Sequence, residues 1–106
     1  MHTEPVRRRH PRVPAGFLVK LHVKGRTLVQ KARNLSMTGL LLDCDAAGIG
    51  DRVMVEINLP DEDRAVAING QILRSSSPYG TSAIRFLDLD WDDMFALARY
   101  LAPRLP

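Results

Sequence analysis

This chain of 106 residues is short of cysteine, of aromatic rings and, in its first third, of negative charge. A single cysteine, Cys44, excludes an internal disulfide and suits a reducing compartment, so the cytoplasm is the expected location. Cys44 closely follows Leu40-Leu41-Leu42, which points to a buried structural thiol rather than a nucleophile. His2, His10 and His22 share no metal-ligand spacing with one another or with Cys44, so no metal or cofactor is assigned. No apolar run approaches the roughly 18 residues that span a bilayer, and the basic N-terminus lacks the apolar stretch of a signal peptide. No membrane insertion is expected. A nucleophile–base pair and a glycine-rich phosphate loop are both missing, and the acidic residues gather in turns or at a helix start. That pattern argues against an enzyme.

What the chain does have is a lopsided charge. At 45% hydrophobic it can bury one compact core, and its net charge of +3 hides a split. Residues 1–36 carry nine Lys/Arg against Glu4 alone, giving +8; residues 37–106 carry six against eleven acidic, giving −5. Such a split suggests an anionic partner for the first third. The positive charge is densest in Arg7-Arg8-Arg9-His10-Pro11-Arg12. Residues 1–14 hold three prolines, five charged side chains and almost nothing apolar, and read as a flexible arm.

The remainder, 15–106, reads as one β domain. Phe17, Val19, Leu21 and Val23 alternate with Leu18, Lys20 and His22, the period of a strand, and residues 27–33 return after a turn at Lys24-Gly25-Arg26. Residues 34–39 read as a connection, 40–44 as a short strand and 45–51 as a loop. Val53, Val55, Ile57 and Leu59 mark the next strand; after the acidic turn 60–63, residues 65–75 form another, in which Gly70 signals a bulge or a close approach. A turn at 76–80 leads to the last strand, 81–87. Five or six strands with short turns predict a small closed or nearly closed barrel. A helix over 90–102 ends the chain, with Asp90 as N-cap, Asp92 and Asp93 in its first turn, and Pro103 as its stop. Its apolar stripe is expected to be Trp91, Met94, Phe95, Ala98 and Leu101, with Leu97 at the edge, packed on the barrel.

Two polar features stand a hairpin apart. Arg8 and Arg12 lie four apart in the arm, and Asn34-Leu35-Ser36-Met37-Thr38-Gly39 places an amide, a hydroxyl and a bare backbone side by side. Asn, Ser and Gly at this density also suit a plain turn. Arginine offers a planar fork of donors matched to guanine O6 and N7 or to two phosphate oxygens. Asn34 and Ser36 can donate to or accept from a base edge, and Gly39 would let a ring or phosphate approach the backbone. The ligand suggested is a guanine nucleotide with exposed phosphates.

Arg-x-x-x-Arg at Arg8 and Arg12, followed by Asn-x-Ser-x-x-Gly at Asn34, Ser36 and Gly39, strands and a closing helix, resembles the PilZ domain family over nearly the whole chain. The resemblance implies a mainly β fold, a six-stranded antiparallel barrel with a C-terminal helix, and a bacterial receptor for the second messenger cyclic di-GMP. It implies that the arm arginines grip guanine and phosphate while the second motif contacts the rest of the ligand. The strand from Gly70 onward follows the family's pattern and adds Arg74 to the candidate contacts. Arg7, just before the first motif, is implied to accompany an intercalated ligand pair, although one or two molecules per chain both stay open. Asn34 stands where Asp is commoner, and Thr38 where glycine is frequent. A receptor of this kind also implies a protein partner, with motility, pilus and exopolysaccharide machinery all open.

Two rival readings have weight. A basic arm on a small barrel also suits nucleic acid, but single-strand binders of this size stack bases on exposed aromatics. Phe17, Phe86, Trp91 and Phe95 all read as core, so nucleic acid is disfavoured. A PilZ-like protein-interaction module without a ligand is the other, and the intact motif residues argue against it.

Overall fold

The computed structural model describes residues 12–43, 52–60, 62–73 and 81–105. Arg7 and Arg8 in the arm, Cys44 with the loop 45–51, and Arg74 with the turn 76–80 lie outside the described residues. Seven strands are present among the described residues: β1 (Val13–Pro14), β2 (Leu18–Val23), β3 (Arg26–Leu35), β4 (Gly39–Leu42), β5 (Arg52–Ile57), β6 (Val66–Leu73) and β7 (Ser82–Asp88). All pair antiparallel, in the order β3-β2-β5-β6-β7-β4, and β4 returns to β3. This closes a six-stranded barrel, to which β1 adds a short seventh strand on β3. Closure leaves few open sheet edges, the main hazard of a small β domain.

Alternation decides which side chains fill the barrel. Val19, Leu21 and Val23 of β2, Val53, Val55 and Ile57 of β5, and Val66 and Ile68 of β6 are all buried, and the residues between them face outward. Each fully buried aliphatic of this size contributes about 1.5–3 kcal/mol. Lys24 and Gly25, both at positive φ (49° and 77°), make the two-residue turn whose twist suits the β2–β3 hairpin. Gly70 sits at a register shift between β6 and β7, where a Cβ would come within 2.6 Å of Ile84 Cγ2 and 3.2 Å of the Arg85 carbonyl oxygen. The bulge and close approach read from the sequence are both present.

The helix α1 (Trp91–Leu101) starts at the expected cap, where Asp90 Oδ1 accepts from Asp93 N at 2.8 Å. It runs into a short 3-10 turn, Ala102–Arg104, with Pro103 inside that turn. Its orientation differs from the expected one. The buried face is Asp93, Ala96, Leu97, Tyr100 and Leu101, whereas Trp91 is 71% and Phe95 54% exposed and Ala98 also faces out. The helix therefore carries two apolar stripes, and the barrel takes the one that includes Tyr100. The Phe17 ring meets Tyr100 edge-on with centroids 5.8 Å apart, and Arg104 covers the ring at 4.0 Å while donating to the Tyr100 carbonyl at 2.8 Å. Arg99 donates two hydrogen bonds to Glu62, at 2.8 and 2.9 Å, which hold that carboxyl below its ordinary range.

Candidate ligand-binding site

The described candidate residues, Arg12, Asn34, Ser36 and Gly39, lie at one corner of the barrel, built where β3 leaves β2 and joins β4. Along β3, simple alternation from the buried Ala32 would turn Asn34 inward. A register shift between Ala32 and Asn34 reverses the phase, so Leu35 enters the core and Asn34 stays half-buried at the outer wall. Asn34 pairs with Leu41 of β4 on one side and Pro14 of β1 on the other. Its Oδ1 is buried and has no hydrogen-bond partner among the described residues.

The segment expected as one connection, 34–39, is mostly strand. Asn34 and Leu35 end β3, Gly39 begins β4, and only Ser36–Thr38 turns. Ser36 is 1% exposed, and its hydroxyl is engaged inside the turn. It accepts from Thr38 N at 3.1 Å, donates toward the Gly39 carbonyl at 3.3 Å and lies 3.1 Å from Thr38 Oγ1. The Ser36 backbone N–H donates to the same carbonyl at 2.9 Å. Gly39 is buried against β7, and a Cβ there would run into the Ile84 carbonyl. Its lack of a side chain serves the β4–β7 pairing. Thr38 is exposed, and its carbonyl accepts from Phe86 N at 2.8 Å.

Residues 12–14, the end of the arm, reach this same corner. Val13 pairs with Leu35 and Pro14 with Asn34; Ala15 N donates to the Arg33 carbonyl at 2.8 Å and Ala32 N to the Phe17 carbonyl at 2.9 Å. The last two residues of the segment 1–14 thus form β1, with Val13 buried in the core. Arg12, half-buried, directly precedes Val13 and enters beside the 34–39 segment. Nearby, Arg33 is paired to Asp43 at 2.9 Å and Arg85 donates to Gln71 at 2.9 Å, so both cations already have partners. Arg7, Arg8 and Arg74 lie outside the described residues.

Two clefts of about 300 Å³ lie elsewhere. One, beside α1, is lined by Glu62, Arg64, Asp92, Asp93 and Arg99, and the other by His22, Arg52, Asn69 and Asp88. In the first, burial and the neighbouring Asp90 push the Asp93 carboxyl above its ordinary range. In the second, His22 is held between Glu56 at 3.0 Å and Thr27 at 3.1 Å. Among the described residues no group of three or more His, Cys, Asp or Glu is placed to hold a metal, and no helix is long and apolar enough to cross a membrane. The exposure of Trp91 and Phe95 corrects the reading of both as core. Their neighbours Asp90 and Asp92 are nonetheless unsuited to a polyanion.

The family model of the PilZ domain matches residues 6–102. The chain belongs to the PilZ domain family. Solved structures agree on the fold of this PilZ domain. The Bacillus subtilis inhibitor of motility (MotI/DgrA) superposes with a TM-score of 0.76 at 19% identity, covering 94% of this chain and 52% of the other. This chain thus spans about half the length of that protein. The PilZ domain of CeSA from a cellulose-synthesizing bacterium gives 0.67 at 16% identity, covering 90% of this chain and 99% of the other. The PilZ domain of YcgR from Escherichia coli, solved with c-di-GMP, gives 0.67 at 17% identity over 93% and 92%. No curated protein matches the chain. PilZ domains are a cyclic di-GMP-binding family of receptor domains, and no catalytic family is indicated.

Proposed function

We propose that this PilZ domain is a cyclic di-GMP receptor that holds its ligand between the N-terminal arm and the Asn34 corner, and signals through the altered surface to a protein partner. The observation that carries this reading is the buried Asn34 Oδ1, without a hydrogen-bond partner among the described residues, beside the paired root of the arm. A buried acceptor left without a donor costs about 1–3 kcal/mol, a cost that the N–H edge of a guanine would remove. Arg8 and Arg12 supply forked donors to guanine and phosphate, and Arg74 adds a further cation. Ser36 and Gly39 act one step back: the hydroxyl fixes the turn and the bare Cα lets β4 close on β7, which together set where Asn34 stands. Arg7 is assigned to a second, intercalated molecule, whose added phosphates call for another cation. The motility role in the name of the Bacillus relative and the cellulose-synthesizing source of CeSA suggest motility or exopolysaccharide machinery as the partner.

Calorimetry with cyclic di-GMP tests the reading, because it returns affinity and stoichiometry together. Saturable binding at two molecules per chain is expected, falling to one in Arg7→Leu. Unchanged stoichiometry in that variant makes Arg7 a bystander. An absence of heat at any ligand concentration, with the barrel intact by circular dichroism, would remove the receptor reading and favour a module that binds protein alone.

A further inference from the structure

We infer that the outer face of α1 is a self-association surface, on which a second copy of this chain packs its own α1 antiparallel across a two-fold axis. The stripe the barrel does not use runs from Trp91, Phe95 and Ala98 of α1 into Ala102, the first residue of the 3-10 turn that continues it, all exposed and spaced four, three and four. That is the spacing of the seam along which two helices interlock. Its sizes are ordered: both large rings lie in the N-terminal half and both alanines in the C-terminal half. Parallel helices would stack ring on ring and leave a gap at the alanines. Antiparallel helices instead lay Trp91 over the partner's Ala102 and Phe95 over the partner's Ala98, filling both ends by the same contact twice, as a two-fold interface requires.

Charge follows the same symmetry. Asp92 and Arg99 stand one residue past Trp91 and Ala98, on one flank of the seam. Reversing the second helix brings each Asp92 alongside the partner's Arg99. Within one chain these groups already reach Arg64 at 3.5 Å and Glu62 at 2.8 Å, so the flank becomes an alternating network rather than a row of like charges. A solvent-facing pair of rings with centroids 6.0 Å apart is also an unusual use of the one tryptophan in the chain. The inference needs no ligand and stands apart from the nucleotide site.

The test is the sedimentation mass of the full chain over a wide range of concentration in the analytical ultracentrifuge, with and without cyclic di-GMP, followed in parallel by the emission of Trp91. The expected result is a mass that doubles and an emission that moves to the blue as concentration rises. Ala98→Glu changes a side chain that is exposed in one chain but covered in the pair, so it should stay monomeric with an unchanged circular dichroism spectrum. Phe95→Glu should do the same. A wild-type chain that remains monomeric under both conditions, with the emission of a water-exposed indole, would overturn the inference. A dimer that survives Ala98→Glu would overturn it equally.

Discussion

Two corners of this molecule use the same device and end differently. At the start of α1, Asp90 takes the backbone N–H of Asp93; at the end of β3, Ser36 takes that of Thr38. The helix corner is complete, since its side chain satisfies a donor that the helix itself leaves over. The barrel corner is as tightly made around Ser36, yet two residues earlier it leaves the Asn34 oxygen buried and unmet among the described residues. A polar cluster that satisfies itself is architecture. A cluster that leaves one buried acceptor unmet among the described residues offers a place where the proposed ligand could contribute a donor.

The sharpest break in this comparison is at Gly39. In Gly39→Ala the added methyl meets a backbone carbonyl that cannot rotate away, so stability should fall by about 3 kcal/mol, at the upper end of overpacking effects, as read by urea denaturation. Ligand binding should be lost only to the extent that the fold is. Next come Arg8→Ala and Arg12→Ala, each expected to weaken cyclic di-GMP by about 1.5–3 kcal/mol in calorimetry with the melting temperature little changed. Arg9→Ala should matter much less, and a larger loss there than at Arg8 would displace the motif by one residue.

Asn34→Ala separates the two corners directly. It should weaken the ligand by about 1.5 kcal/mol while leaving the free protein as stable as before or more so, because it removes an acceptor that has no partner among the described residues. Asp90→Ala should do the opposite: about 1 kcal/mol of stability lost in thermal unfolding, with affinity unchanged. The smallest effect expected is a pH dependence at Asp93. Burial, then the charge and hydrogen bond of Asp90, raise its folded-state value above that of the unfolded chain. The folded state therefore binds the proton more tightly, and stability declines as pH rises from the unfolded value through the folded one. Asp93→Asn should melt higher than wild type at neutral pH, and the gain should vanish in acid below the ordinary carboxylate range.

The longer strands were legible because they are wet on one side, and Val53, Val55, Ile57 and Leu59 state that in their alternation. Gly70 was legible for a related reason: a glycine inside such a run forfeits side-chain packing, which a strand tolerates where its backbone must bend or be approached closely. The helix face was not. Trp91, Phe95 and Ala98 look more apolar than Asp93 and Tyr100, yet the buried face takes the latter pair, one protected at the helix cap and the other packed on Phe17. At the corner, the sequence groups Asn34, Ser36 and Gly39 but does not say how each is held. The phase reversal at Arg33 and the carbonyl of Ile84 against Gly39 both depend on strand pairings that local periodicity does not encode.

Val13, only 3% exposed and paired to Leu35, is the fixed point from which the arm of the proposed receptor would work. Five residues of chain reach at most about 18 Å, and that would be the working radius of Arg8 in the proposed receptor. In that reading, a tether so short would give the arm's donors an effective concentration in the millimolar range around the corner. A nucleotide held at Asn34 would then meet the arm within one molecule, at a rate that should not depend on how much receptor the cell contains.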